Sequence, residues 1–240
     1  MNHSIIRDKE ALLNFIDWLP ELTKTERYFL CLQARKRYLP SIGITSTDKT
    51  QLKRFVSTKE RLFDKICQLE CPVGTYRTKS GEVIPDEAIA LYITTNPRCM
   101  KKAAYKTIRA MADTLEKYDV NHHDINPHAE ALSCIHRSKS RTTFVHFDID
   151  VPDEKFLTPK CDMKIDEIYS RSVEVVGKEA VSLVQTRGGC HLLVDPSKVV
   201  SDNKNWYPVL IKEFNCDQIG DLMLPVVGCC QGGYVPRFVN

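Results

Sequence analysis

The chain has 240 residues, of which 42% are hydrophobic and 27% charged, values that exclude wholesale disorder and fibrous architectures and allow a sizeable buried core. Its 34 basic and 31 acidic residues leave a net charge of only +3, so charge alone does not establish a nucleic-acid partner, although local basic patches could support one. No apolar run reaches the length of a membrane span, and the polar start MNHSIIRDKEALLNF lacks the basic-then-apolar pattern of a secretory signal, so a cytoplasmic protein without membrane contact is expected.

In chain order, the first part to about Ile66 is expected to be mostly helical. DKEALLNFIDWL and TERYFLCLQARKRYL space apolar residues at three and four, with Pro20 and Pro40 as breaks and Pro40 to Asp48 as a connector. From STKERLFDKICQLE the chain passes a polar turn at Gly81 into EAIALYITTNP, whose β-branched and aromatic residues favour a strand. CMKKAAYKTIRAMADTLEKY has strong helix formers and an amphipathic period, and His122, His123 and Asp124 follow it in a loop. From Ser138 the order is strand, helix, two strands, helix, two strands: TTFVHFDID, then MKIDEIYSRSVEVV closed by Gly177, then AVSLVQT and GCHLLVD around a Gly188-Gly189 turn, a helix near Asn205 to Phe214, and finally LMLPVVG and YVPRFV. Two lobes are expected, 1–137 and 138–240, sharing a cleft.

The ten cysteines are scattered through apolar segments without a framework, so most read as reduced core residues. Cys67 and Cys71 have no second closely spaced pair to complete a zinc finger, and the adjacent Cys229 and Cys230 would face opposite ways on a strand.

Asp148 and Asp150 stand two apart in the most apolar part of the middle of the chain, so on a strand both point to one face while Phe147, Ile149 and Val151 point to the other. Two unit charges about 5 Å apart repel by roughly 3 kcal/mol at an effective dielectric near 20, a cost that calls for a compensating cation. A Lys or Arg, a shared proton or a divalent metal would serve, and an all-oxygen strand end best suits Mg²⁺ or Mn²⁺. Arg187, Gly188, Gly189 and His191 form a turn where missing side chains would let a phosphate approach backbone N–H groups while Arg187 and His191 donate; a tight hairpin is the plainer reading. Asp217 and Asp221 precede an apolar strand that could lie beside the Asp-x-Asp strand and so bring a third carboxylate. Two-metal phosphoryl transfer needs such a set.

The ordered segments FVHFDID, QTRGGCH and an Asp before a final strand pair resemble the three motifs of the archaeo-eukaryotic primase superfamily, nearest to the short primase-polymerases of phages, plasmids and mobile elements. The resemblance covers about 141–238. It implies an α+β fold: an RRM-like catalytic sheet with packed helices, plus an N-terminal, mainly helical α/β accessory lobe. It also implies that Asp148, Asp150 and Asp217 hold two Mg²⁺ or Mn²⁺ ions, with Asp221 competing for the third place, and that His191 contacts the phosphates of the incoming nucleotide. Arg187, and more remotely Arg237 and Arg141, would neutralise triphosphate charge. The activity implied is template-dependent nucleotidyl transfer from nucleoside triphosphates on single-stranded DNA. A metal-dependent nuclease or nucleotide hydrolase, or a non-catalytic nucleotide-binding replication-initiation protein, would use the same groups. The patches RKRY, KTQLKR, NPRCMKKAAYK and HRSKSR could track the template. No G-x-x-x-x-G-K-[ST] motif is present, so a helicase or other replication protein would have to be a separate partner.

Overall fold

The computed structural model describes residues 1–38, 49–78, 80–117, 126–151, 163–200, 205–216 and 218–239. The expected connector 40–48 and the residues His122, His123, Asp124 and Asp217 lie outside the described residues. The fold is α+β, with helices packed on two antiparallel sheets.

The first sheet is built on β1 (Glu26–Arg35), flanked by β2 (Lys49–Ser57) and β3 (Ile89–Thr94), with the short β4 (Arg98–Cys99) pairing to the start of β1. Its alternate residues Tyr28, Leu30 and Leu32, with Leu91 and Ile93 of β3, form a core with α1 (Lys9–Trp18) and α2 (Leu62–Cys67), which supply Leu12, Phe15, Leu62 and Ile66. Asp8 caps α1 by accepting the Ala11 N–H at 3.0 Å, satisfying one of the donors that a helix start leaves unpaired. The expectation that TERYFLCLQARKRYL is helical, and the first part to about Ile66 with it mostly helical, is corrected: Glu26–Arg35 is the central strand. Both faces of β1 are covered, one by the core and the other by Leu132 and its neighbours against Phe29 and Cys31. A strand buried on both sides reads as a continuous apolar run, which periodicity cannot tell from a helix.

The second sheet has the order β10-β6-β7-β5-β8, every neighbouring pair antiparallel. Its elements follow one another as β5 (Val145–Asp150), α5 (Ile165–Val176), β6 (Val181–Thr186), β7 (Gly189–Val194), α6 (Trp206–Phe214) and β8 (Gln218–Gly220), with β10 (Arg237–Val239) added beside β6. Phe147, Ile149, Leu183, Cys190 and Leu192 face α5 and α6, meeting Ile168, Val176, Leu210 and Phe214. The opposite face holds Val184 and Leu193, which join the core of the first sheet. There Trp18 stacks on Phe144 with centroids 4.8 Å apart and donates from its indole N–H to Ser182 Oγ at 3.2 Å.

The strand entered after Asp221, β9 (Met223–Pro225), does not lie beside Asp148. It pairs with β3 and completes the first sheet, and the three residues of β8 take the place beside β5 instead. Gly220, at φ 119°, ends β8, and Asp221 follows where the chain passes from one sheet to the other. Two helices between β4 and β5, α3 (Met100–Lys117) and α4 (Pro127–His136), pack against each other beside the first sheet. Among the described residues no helix is long and apolar enough to cross a membrane.

Candidate functional site

The even-numbered residues of β5 point away from α5 and α6. His146 lies deepest and fully buried, Asp148 is a third exposed, and Asp150 is partly exposed at the strand end. Each is fixed by pairing: Asp148 opposes His191 of β7 on one side and Gln218 of β8 on the other, and Asp150 opposes Gly189. Cross-strand partners share a face, so Asp148, His191 and Gln218 form a row across the sheet.

His191 Nε2 is 3.4 Å from Asp148 Oδ1, and its Nδ1 is buried with no hydrogen-bond partner among the described residues. Burial holds the imidazole below its ordinary pKa; Asp148 and Asp150 pull it up, and Arg37 adds to the lowering. The ring is therefore neutral at neutral pH and leaves the charge of Asp148 uncancelled. Among the described residues no Lys or Arg forms an ion pair with Asp148 or Asp150.

Gly189 is at φ 153°, and a Cβ there would sit 2.1 Å from the Ile149 carbonyl oxygen, so this glycine is needed for β5 to approach β7. Gly188 has open space around it and lines the cleft. Arg187 is turned elsewhere. Its backbone N–H donates to Gln231 Oε1 at 2.9 Å, its guanidinium donates to the Gly232 carbonyl, and its charge lies 4.7 Å from the centre of the Tyr38 ring. Arg237 donates to Gln185 at 2.9 Å on the helix-covered face of the sheet, and Arg141 pairs with Glu26 at 3.5 Å; neither lines the cleft.

The acids open onto a cleft of about 770 Å³. Its one wall is Asp148, Asp150, Thr186, Gly188, His191 and Gln218; the other is the outer face of the first sheet with α4, bringing Gln33, Arg35, Gln51, Arg54, Tyr92, Ser133 and Arg137, with Arg37 at the rim. Four arginines and four carboxylates among the described residues thus line the cleft, Asp148 and Asp150 across from the arginines, Glu130 beside Arg137 on their own wall, and Asp221 where the chain crosses between the sheets. Arg35 donates to the Tyr92 hydroxyl at 3.0 Å, Arg54 to Ser133 Oγ at 3.5 Å, and Arg137 to Glu130 at 3.0 Å. Tyr38 organises this side: its hydroxyl is 3.2 Å from that of Tyr92 and accepts from Gln231 at 3.2 Å, and the charges of Arg35, Arg37 and Arg187 lie 5.6, 5.2 and 4.7 Å from its ring centre. Burial, with the neighbouring Tyr38 second, pushes the Tyr92 phenol up, so it remains a protonated donor.

Asp221 lines the same cleft but has both oxygens engaged, accepting from the buried Arg98 guanidinium at 2.5 Å and from Asn96 at 3.0 Å. Asn96 also accepts from Thr143 and Phe144 N–H at 2.7 and 2.9 Å, tying this pair to the chain just before β5. Although burial opposes it, the hydrogen bonds and charge of Arg98 hold the Asp221 carboxyl below the usual range.

Of the residues singled out in the sequence, Asp148, Asp150, Asp221, Gly188 and His191 line the cleft, whereas Gln218, Tyr38, Tyr92 and the joining of Arg98 to Asp221 were not singled out. The turn-like GDL stretch hid a two-sheet crossover. Among the described residues no three His, Cys, Asp or Glu side chains are grouped to hold a metal. The donors that β5 presents are nonetheless carboxylate oxygens without a paired Lys or Arg among the described residues, which fits a hard divalent ion. No protein-family model matches the chain, and neither the curated proteins nor the solved structures searched contain a match.

Proposed function

We propose that the cleft binds a nucleoside triphosphate and a single-stranded template and performs nucleotidyl transfer of the primase-polymerase type. The observation that carries this reading is the opposition of Asp148, Asp150 and His191 on one wall to Arg35, Arg37, Arg54 and Arg137 on the other. Carboxylates alone would repel a polyanion and arginines alone would only bind it; the two together suit a triphosphate that arrives with divalent cations. The βαββαβ order from β5 to β8 with strand order β6-β7-β5-β8 supports the same reading, since a split βαβ arrangement is what an RRM-like catalytic sheet requires.

Asp148 and Asp150 would hold Mg²⁺ or Mn²⁺, with Asp217, next to Gln218 in the chain, as the third acid. Asp221 serves instead to hold Arg98. The chemistry such ions would supply is neutralisation of charge at the leaving pyrophosphate and a lowered pKa of the attacking hydroxyl. His191, neutral and anchored in β7, donates an N–H to a phosphate oxygen, and the cleft arginines orient the triphosphate.

The test is synthesis on single-stranded DNA with labelled NTPs or dNTPs and Mg²⁺ or Mn²⁺, with Asp148→Asn as control. Template-dependent product that vanishes in the variant supports the proposal. Nucleotide or DNA cleavage without a template would make the chain a hydrolase, and nucleotide binding without turnover a binding protein of replication initiation.

A further inference from the structure

Helix α3 stands largely clear of the body: among its described side chains only Ala103 is buried. Lys101, Tyr105, Ile108, Arg109 and Ala112 fall along one side at helical spacing, and Tyr105 and Ile108 are 66% and 68% exposed. An aromatic and an aliphatic side chain thus form an apolar platform with a cation at each end. A second row is fixed in place beside it. Lys106 donates to the Arg137 carbonyl at 2.9 Å, and Lys102 lies 3.4 Å from the carbonyl oxygens of Lys139 and Ser140. Arg137 itself lines the cleft, so cations continue from the cleft over the end of α4 and onto α3, with Glu130 beside Arg137 at 3.0 Å and Asp113 beside Arg109 at 4.0 Å.

We propose that α3 is a track for single-stranded nucleic acid leaving the cleft, with one base stacked on Tyr105 and phosphates met by Lys101, Lys102, Lys106 and Arg109. The occupant follows from charge and chemistry together: a flexible polyanion carrying flat apolar faces matches alternating cations and a platform, and the surface is continuous with the cleft. The proposal rests on the template of the function proposed above but not on the chemistry.

The experiment is fluorescence anisotropy with labelled oligothymidylates of about 6 and about 20 nucleotides, on the full chain and on Tyr105→Ala and Lys101→Gln/Arg109→Gln. The shorter oligonucleotide is accommodated by the cleft and should bind all three proteins alike. For the longer one, Tyr105→Ala should weaken binding about tenfold, and the double variant should reduce the salt dependence of log K by about 1.4 for two lost cations. Unchanged affinity and salt slope for the longer oligonucleotide in both variants, or no binding by the original chain, would overturn the proposal and leave this face to an acidic protein partner. Running the synthesis assay on the same proteins separates the two readings. Selective loss of long-oligonucleotide binding in a chain that makes no product upholds the track and removes the polymerase, whereas synthesis with unaltered binding removes the track alone.

Discussion

Asp148 and His191 face each other across the ladder of β5 and β7, with the imidazole Nε2 3.4 Å from a carboxylate oxygen. Because burial lowers the pKa of His191, the contact brings Asp148 no counter-charge. Among the described residues, Asp148 and Asp150 therefore have no neutralising cation, and their mutual repulsion is what the proposed metal ions would relieve.

Asp148→Asn should abolish synthesis, by about a thousandfold or more, since a lost metal ligand removes several kcal/mol of charge stabilisation and each 1.4 kcal/mol is about tenfold in rate. Its melting temperature should stay level or rise slightly, because one of two like charges is gone. A variant that melts normally and retains synthesis within a factor of ten would remove Asp148 from the proposed chemistry.

Metal binding can be read without activity. At an Mn²⁺ concentration about ten times its dissociation constant, linkage stabilises the folded chain by roughly 1.4 kcal/mol, or a few degrees in melting temperature for a chain of this size. Calorimetric scans should show that rise in the original chain and lose most of it in Asp150→Asn. Equal shifts in both would place the metal elsewhere.

Acid should weaken the fold through His146. Burial, aided by nearby His191, drives its pKa from 6.5 to about 3, with Nε2 held 2.6 Å from Thr95 Oγ1. The unfolded chain then binds the extra proton between those values, so the stability this group contributes is complete above about pH 6.5 and declines as pH falls towards about 3. In urea melts across that range, His146→Gln should make the decline shallower by up to about 1.4 kcal/mol per pH unit. An unchanged slope would show that His146 accepts its proton without unfolding.

The two glycines of the hairpin should respond oppositely. Gly189→Ala forces a Cβ into the Ile149 carbonyl and should cost about 3 kcal/mol, seen in the denaturation midpoint, and also pull β5 off β7. Gly188→Ala meets nothing within 4 Å and should stay within about 0.5 kcal/mol. Equal tolerance at both positions would contradict the pairing of Asp150 with Gly189.

Arg98→Met should destabilise by about 3 kcal/mol or more, because it leaves the Asp221 carboxylate without its buried partner. Replacing Arg98 and Asp221 together with apolar residues should recover much of that loss in the same denaturant titration. A single variant as stable as the original would show that the pair does not secure the crossover.

The second half was legible because its elements carry local signals: alternation at Phe147 to Asp150, the Gly188-Gly189 turn, and Gly177 at φ 90° closing α5. In the first half α1, β3 and α3 were legible too, but β1 was not, because Tyr28 to Leu32 are buried on both faces and lose the period that separates strand from helix. Gln218 was invisible because a three-residue strand has too little pattern to announce itself, and its place beside Asp148 is set by long-range pairing. Likewise RKRY and KTQLKR were seen as basic patches, but only the sheet register turns Arg35 and Arg54 towards the cleft acids.

The crossover at Asp221 also sets the order in which the molecule can be finished. β3 waits for β9, more than a hundred residues later, and the N-terminal segment is held by still later chain: Arg7 and Asp8 N–H donate to the Gly228 carbonyl, and Cys230 N–H donates to that of Ile5. On the ribosome, the first sheet must therefore remain with an open edge until β9 has emerged. Such high contact order makes folding slow and leaves an unpaired strand exposed during synthesis. The sheet of the arginine wall and the sheet of the acid wall are consequently completed at the cleft by one short segment, β8 to β9.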